Sequence, residues 1–305
     1  MQHRVIGGLI GAGLAVSLLA GCAGQGTGRA DVTVTGAYGE RPAVERKGTP
    51  PKSPQIDVVS DGNGRSVVSG EIVIADIDIH VWKDNREYLT TFSENGHPNS
   101  VILDGTHVSR TWDKALIGKK AGSRVVLTSP ASEGFGPNQL PPTGTTAADT
   151  LIVVFDIHGS YAPTAAAEGE AVEDREEPHL PSVSYDSAGV PTLEFPDGPA
   201  PEEPAAGTLI EGKGKKTGEH DAVVVQFSHQ PWDSPTPDQT SYSPRAPRSF
   251  NLDGEGVPAS WKKFVAGARV GSRLVVAEPG DPQNPEDKGG AYVIDIIDSI
   301  PHGSR

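Results

Sequence analysis

Side chains able to make and break bonds are few in this chain and poorly placed for doing so. Cysteine occurs once, at Cys22, and nine histidines are scattered over 305 residues. Without paired His spacing or further sulfur ligands, no metal and no organic cofactor is expected. His80 and His97 read as surface or strand-edge residues, and Asp76 and Asp78, flanking Ile77, read as the wet side of a strand. No Gly-x-Ser-x-Gly elbow, phosphate loop or dinucleotide fingerprint lies between a strand and a helix, so hydrolase and nucleotide chemistry have no support. What remains is aromatic. Trp112 and Trp261 stand in matching company.

That company is a repeated sentence. Leu103-Asp104-Gly105, Val108, Trp112, Gly118 and Gly122-Ser123-Arg124 recur 149 residues later as Leu252-Asp253-Gly254, Val257, Trp261, Gly267 and Gly271-Ser272-Arg273. A constant offset that includes a tryptophan indicates one domain occurring twice. Hydrophobic content is 35%, and Gly and Pro together supply 64 residues, so each core is small and much of the chain is turn or linker. A formal charge of -14 excludes a phosphate-neutralising surface, and nucleic acid is not a partner.

Residues 1–21 read as an export signal, with basic Arg4, an apolar run from Val5 to Ala20 and small residues before Cys22. Leu19-Ala20-Gly21-Cys22 resembles the bacterial lipobox. That resemblance implies cleavage before Cys22, lipidation of its sulfur, and a protein anchored in the cell membrane that faces away from the cytoplasm. Residues 22–54 are expected to be a tether, with some strand beginning near Asp31 to Thr35, and 55–162 a first domain. Residues 163–182 should form an acidic linker, and 183–302 a second domain opening with an extended arm. Between 163 and 206 eleven carboxylates face a single arginine, Arg175, so repulsion should extend the chain there.

Within each copy the pattern is mostly strand. Ile72 to Val81 and Ala222 to Phe227 are β-branched runs, the first alternating in its later half, followed by the Val101-Ile102-Leu103 and Phe250-Asn251-Leu252 strands. Thr111–Ile117 and Ser260–Ala266 are short helices between a polar entry and a glycine exit, with Trp112 sharing a face with Ala115 and Leu116. Val125-Val126-Leu127 and Leu151 to Ile157 complete the first copy, and Leu274-Val275-Val276 and Ala291 to Ile297 the second. The class is α+β, two curved antiparallel sheets each wrapped on one short helix.

This order of elements resembles the FKBP-type peptidyl-prolyl cis-trans isomerases. Their helix-leading Trp falls on Trp112 and Trp261, their Val-Ile pair on Val108-Ser109 and Val257-Pro258, and their Tyr-Gly on Phe135-Gly136. Their closing Phe-Asp falls on Phe155-Asp156 and Ile294-Asp295, and Leu140-Pro141-Pro142 matches their proline loop. The early part departs from the pattern. The strand Tyr lands near Val81 and on Phe227, the Phe-Asp pair near Leu89-Thr90 and Asp238-Gln239, and Ala277 to Gly290 carries no aromatic. The resemblance implies an isomerase acting on X-Pro segments of exported proteins, with Trp112 as floor, Val108, Phe135 and Phe155 as walls, and the backbone N–H near Ser109 holding the substrate carbonyl. Val81, Leu89, Phe227, Val257, Pro258 and Trp261 would add substrate contacts. Core packing explains Trp112 and Phe155 equally well. A module that has lost turnover and only binds peptides or proteins therefore stays open beside the enzyme.

Overall fold

The computed structural model describes residues 31–93, 96–134, 143–172, 179–187, 189–243, 246–254, 256–284 and 286–301. Chain order begins with a hairpin, β1 (Asp31–Thr35) and β2 (Ala43–Lys47), followed by β3 (Gln55–Ser60), β4 (Ile72–Val81), β5 (Arg86–Thr90) and β6 (Asn99–Ile102). Next come α1 (Arg110–Leu116), β7 (Arg124–Pro130), α2 (Ala131–Gly134) and β8 (Thr150–Tyr161). The second half runs β9 (Gly169–Ala171), β10 (Ser182–Tyr185), β11 (Pro191–Glu194), β12 (Ala205–Gly212), β13 (Ala222–Pro231), β14 (Gln239–Thr240) and β15 (Arg248–Asn251), then α3 (Ala259–Phe264), β16 (Arg273–Glu278) and β17 (Gly290–Ile300). The fold is mostly antiparallel sheet with few helices.

The first sheet has the order β3-β7-β8-β4-β5 with β6 also on β4; the second has β12-β16-β17-β13-β14 with β15 on β13. The second order repeats the first. So do the joints: Gly62 N–H donates to Ser123 Oγ, and Gly212 N–H to Ser272 Oγ. At Gly62 a Cβ would sit 2.1 Å from the Ala121 carbonyl oxygen, so only glycine lets the two backbones approach there. One face of each sheet packs on its helix. Val73, Ile77, Phe155 and Val125 meet Trp112 and Leu116, while Val223, Phe227 and Ile294 meet Trp261 and Val265.

The opposite faces are covered too, which corrects two expectations. Residues 31–47, expected within a tether, form the β1–β2 hairpin, whose Val32, Val34 and Val44 pack on Trp82, Val126, Ile152 and Val154. As a result β4 has no wet side: Asp76 and Asp78 are fully buried. Their burial is tolerated because hydrogen bonds replace water. The Asp76 carboxylate accepts from Thr91 Oγ1 (2.7 Å) and contacts His158 Nε2 (2.8 Å). In the second half the β10–β11 hairpin does the same work, with Leu180 and Leu193 against Trp232, Val275 and Val293. Strand β9, in the stretch expected to be linker, pairs with β12 at the sheet edge.

The halves touch along β4 and β13, where Ile72, Ile74, Ala222, Val224, Ala246 and Ile300 form one buried cluster. Tyr161 donates its hydroxyl to Asp298 (2.7 Å) across this contact, and Asn251 Nδ2 donates to the Gly96 carbonyl (2.7 Å). Among the described residues no helix is long and apolar enough to cross a membrane.

Candidate functional site

The Leu103-Asp104-Gly105 turn leads into α1 and the residues expected to line the first site. Asp104 Oδ1 accepts from the amides of Thr106 (2.9 Å) and His107 (3.0 Å), closing the turn before α1. Partial burial opposes the charge on Asp104, but these bonds outweigh it and hold the carboxyl well below its ordinary range. Ser109 then caps the helix with extended backbone (φ -65, ψ 146), and its carbonyl accepts from Trp112 N–H (2.9 Å).

Trp112 is buried in the first core, 6% exposed, its edge set on Phe155 at 4.9 Å and 79°. The indole N–H donates to the Gly134 carbonyl (2.8 Å), which satisfies the ring's polar atom and fixes its plane. Val108 is 7% exposed and Ser109 8%, and Ser109 Oγ has no hydrogen-bond partner among the described residues. Phe155, expected as a wall, has no exposed surface; it backs the indole instead of meeting a ligand. Phe135 lies outside the described residues, as do the proline loop and Cys22.

Two expected contacts are misplaced. Val81 is fully buried at the end of β4, and Leu89 on β5 is 36% exposed and belongs to no core cluster. The position equivalent to Phe227 is Ile77. Ile77 N–H donates to Thr91 Oγ1 (2.9 Å) as Phe227 N–H donates to Ser241 Oγ (2.8 Å), and the two residues pair with Phe155 and Ile294. The signal was in the sequence: Thr90-Thr91-Phe92-Ser93 recurs as Thr240-Ser241-Tyr242-Ser243, at an offset of 150 rather than 149. Val81, reached by counting back from Trp112, lies four residues beyond Ile77 on the same strand.

The surroundings of Trp261 are built differently. Trp261 is 2% exposed and ringed edge-on by Phe227 (5.7 Å), Phe250 (5.5 Å) and Tyr292 (5.5 Å). Its indole N–H has no partner among the described residues. Val257 packs at the rim of this core, and Pro258 takes the helix-capping place of Ser109 with φ -55. A proline has no amide hydrogen, so the donor available at Ser109 is missing here. Ser260 Oγ donates to Glu278, where the first copy has α2. Phe250 and Tyr292 were not picked out as site residues because neither lies in the repeated motif.

Residues 63–158 match the model of a family described as FKBP-type peptidyl-prolyl cis-trans isomerase. No curated protein matches the chain. Similar solved structures include the three FKBP domains of wheat FKBP73, at 14% identity over 81% of this chain and 95% of that one, with a TM-score of 0.32. FkpA from Escherichia coli is 21% identical over 36% of this chain and 48% of its own, with a TM-score of 0.29. A Mycobacterium tuberculosis protein assigned as FKBP12 is 26% identical over 37% of this chain and 88% of its own, with a TM-score of 0.29.

Proposed function

We propose, from the match of residues 63–158 to the FKBP-type peptidyl-prolyl cis-trans isomerase model, that the first half of the chain catalyses rotation about X-Pro bonds while the second half, a second copy of the same fold, only binds. Rotation must break amide conjugation, a barrier of about 18–20 kcal/mol. A hollow that receives the pyrrolidine on Trp112 and sheds water from the amide favours the twisted, less polar form over the planar one. Val108 and Phe135 flank the ring in this reading, Phe155 supports the floor, and the Ser109 amide holds the substrate carbonyl.

The observation that carries the proposal is the indole of Trp112, held flat at the head of α1 by Gly134 and Phe155 within the family-matched segment. A specific observation favours the binding-only reading for the second half: Pro258 offers no amide donor beside Trp261. The test is the rate of cis-to-trans conversion in a short X-Pro peptide. The purified protein should accelerate it and a Trp112→Leu variant should not. If the wild type binds the peptide without accelerating conversion, both halves are binding modules.

The natural substrates would be X-Pro segments of exported proteins, met outside the cytoplasmic membrane by a protein anchored through lipid on Cys22. Two or more acyl chains, at about 0.8 kcal/mol per buried CH2, would make that anchoring durable. Cys22→Ala should abolish lipid labelling and release the protein from membranes; retained labelling would refute the anchor.

A further inference from the structure

We propose that Asp78, His80 and Glu87 form a binding site for one divalent transition-metal ion on the hairpin-covered face of the first sheet. The three residues come together through strand geometry. Asp78 and His80 are two apart on β4 and so share a face, and Glu87 on β5 is the cross-strand partner of His80. One ligand atom from each lies within 4.8 Å of the others.

Asp78, buried, and His80, partly buried, are arranged as metal ligands are. His80 Nδ1 lies 3.1 Å from the Asn85 carbonyl oxygen, which can only accept, so Nδ1 carries a hydrogen and Nε2 is the atom turned to the cluster. A histidine tied to a backbone carbonyl through its other nitrogen is the usual outer-shell device of metal sites. Nε2 sits 2.8 Å from Asp78 Oδ2. The Asp78 side chain is 1% exposed, and its second oxygen has no hydrogen-bond partner among the described residues. A buried carboxylate with one oxygen left without a donor is costly, and a cation held at that carboxylate offsets its charge. The ion takes the place of the proton between Nε2 and Oδ2. Two carboxylates and an imidazole suit zinc, cobalt or nickel better than calcium, which takes only oxygen.

Glu87 is held from outside by Arg41, which comes from the turn between β1 and β2. A metal ion and Arg41 compete for Glu87. The second sheet supplies an internal contrast, because Ser228 and Gln230 stand where Asp78 and His80 do in the first.

The test is titration of the purified, chelator-stripped full chain with Co2+, followed by visible absorption, and then displacement with Zn2+. One Co2+ should bind per chain. Glu87→Gln, at a partly exposed position that should leave the fold intact, should weaken binding on the order of 10–100-fold. His80→Gln should abolish it, and Arg41→Ala should tighten it. The proposal is overturned if no saturable binding occurs, or if Glu87→Gln binds as tightly as the wild type; should His80→Gln fail to fold, Glu87→Gln decides alone.

Discussion

Ser109 and Pro258 occupy the same place at the head of their helices, and an amide hydrogen is what separates them. Ser109 already has φ -65, the value a proline ring imposes. Ser109→Pro should therefore leave thermal stability nearly unchanged while removing the donor proposed to hold the substrate carbonyl. Turnover should fall on the order of 10²-fold or more; undiminished turnover in a folded Ser109→Pro protein would take that amide out of the mechanism. A second residue-scale test concerns Glu71, which accepts from Ser160 Oγ (2.7 Å) and Arg65 (2.7 Å). Burial opposes its charge, but the Ser160, Arg65 and Val68 donors prevail and lower its pKa from 4.5. A lowered folded pKa gives stability that is full above the unfolded value and is lost as pH falls through the folded one. The advantage of wild type over Glu71→Gln should thus hold above about pH 4.5 and shrink below it, as urea midpoints across pH 2–7 would reveal.

The elements least legible in the sequence are the two cover hairpins, of which only a strand near Asp31 to Thr35 and an extended arm at the start of the second domain are expected. Residues 31–47 look like a tether because their apolar residues are few and lie between charges, yet Val34 and Val44 are cross-strand partners on one face. Periodicity cannot disclose pairing between short strands when the surface they cover is itself unknown. The same blindness made Asp76 and Asp78 look wet. What the sequence did disclose were α1, α3 and the long strands, where β-branched runs and the repeated Trp-to-Gly spacing are strong. An arginine ties each sheet to its hairpin. Arg124 donates two hydrogen bonds of 2.7 Å to the Asp156 carboxylate and further ones to the carbonyls of Gly36 (2.8 Å) and Glu40 (2.6 Å). Arg273 pairs with Asp295 and stacks on Tyr185, 4.7 Å from the ring centre. With side chains 1% and 0% exposed, the first pair cannot be broken cheaply. Arg124→Met should cost about 3–5 kcal/mol by stranding Asp156. Hydrogen exchange should show the β1–β2 amides losing protection ahead of β7 and β8; uniform loss across the sheet would mean the hairpin is not held this way.

For the whole molecule, the repeat is a scaffold used twice with different fittings. Both halves keep the indole, the Arg-Asp pair and the glycine joint; the indole and the arginine recur at the constant offset of 149, whereas Asp156 and Asp295 lie 139 apart and Gly62 and Gly212 lie 150 apart. They diverge where no motif constrains them. The first half has an amide donor, a satisfied indole and an acid-histidine cluster on its covered face. The second has Pro258, a ring of aromatics and neutral Ser228 and Gln230. Isomerisation should therefore reside in one half only. The most direct measurement is kcat/KM for an X-Pro peptide with the full chain, its Trp112→Leu variant and its Trp261→Leu variant, each checked for a folded far-UV spectrum. Loss of activity in Trp112→Leu with near wild-type activity in Trp261→Leu is the predicted result. Equal activity in all three, or a loss confined to Trp261→Leu, would contradict it.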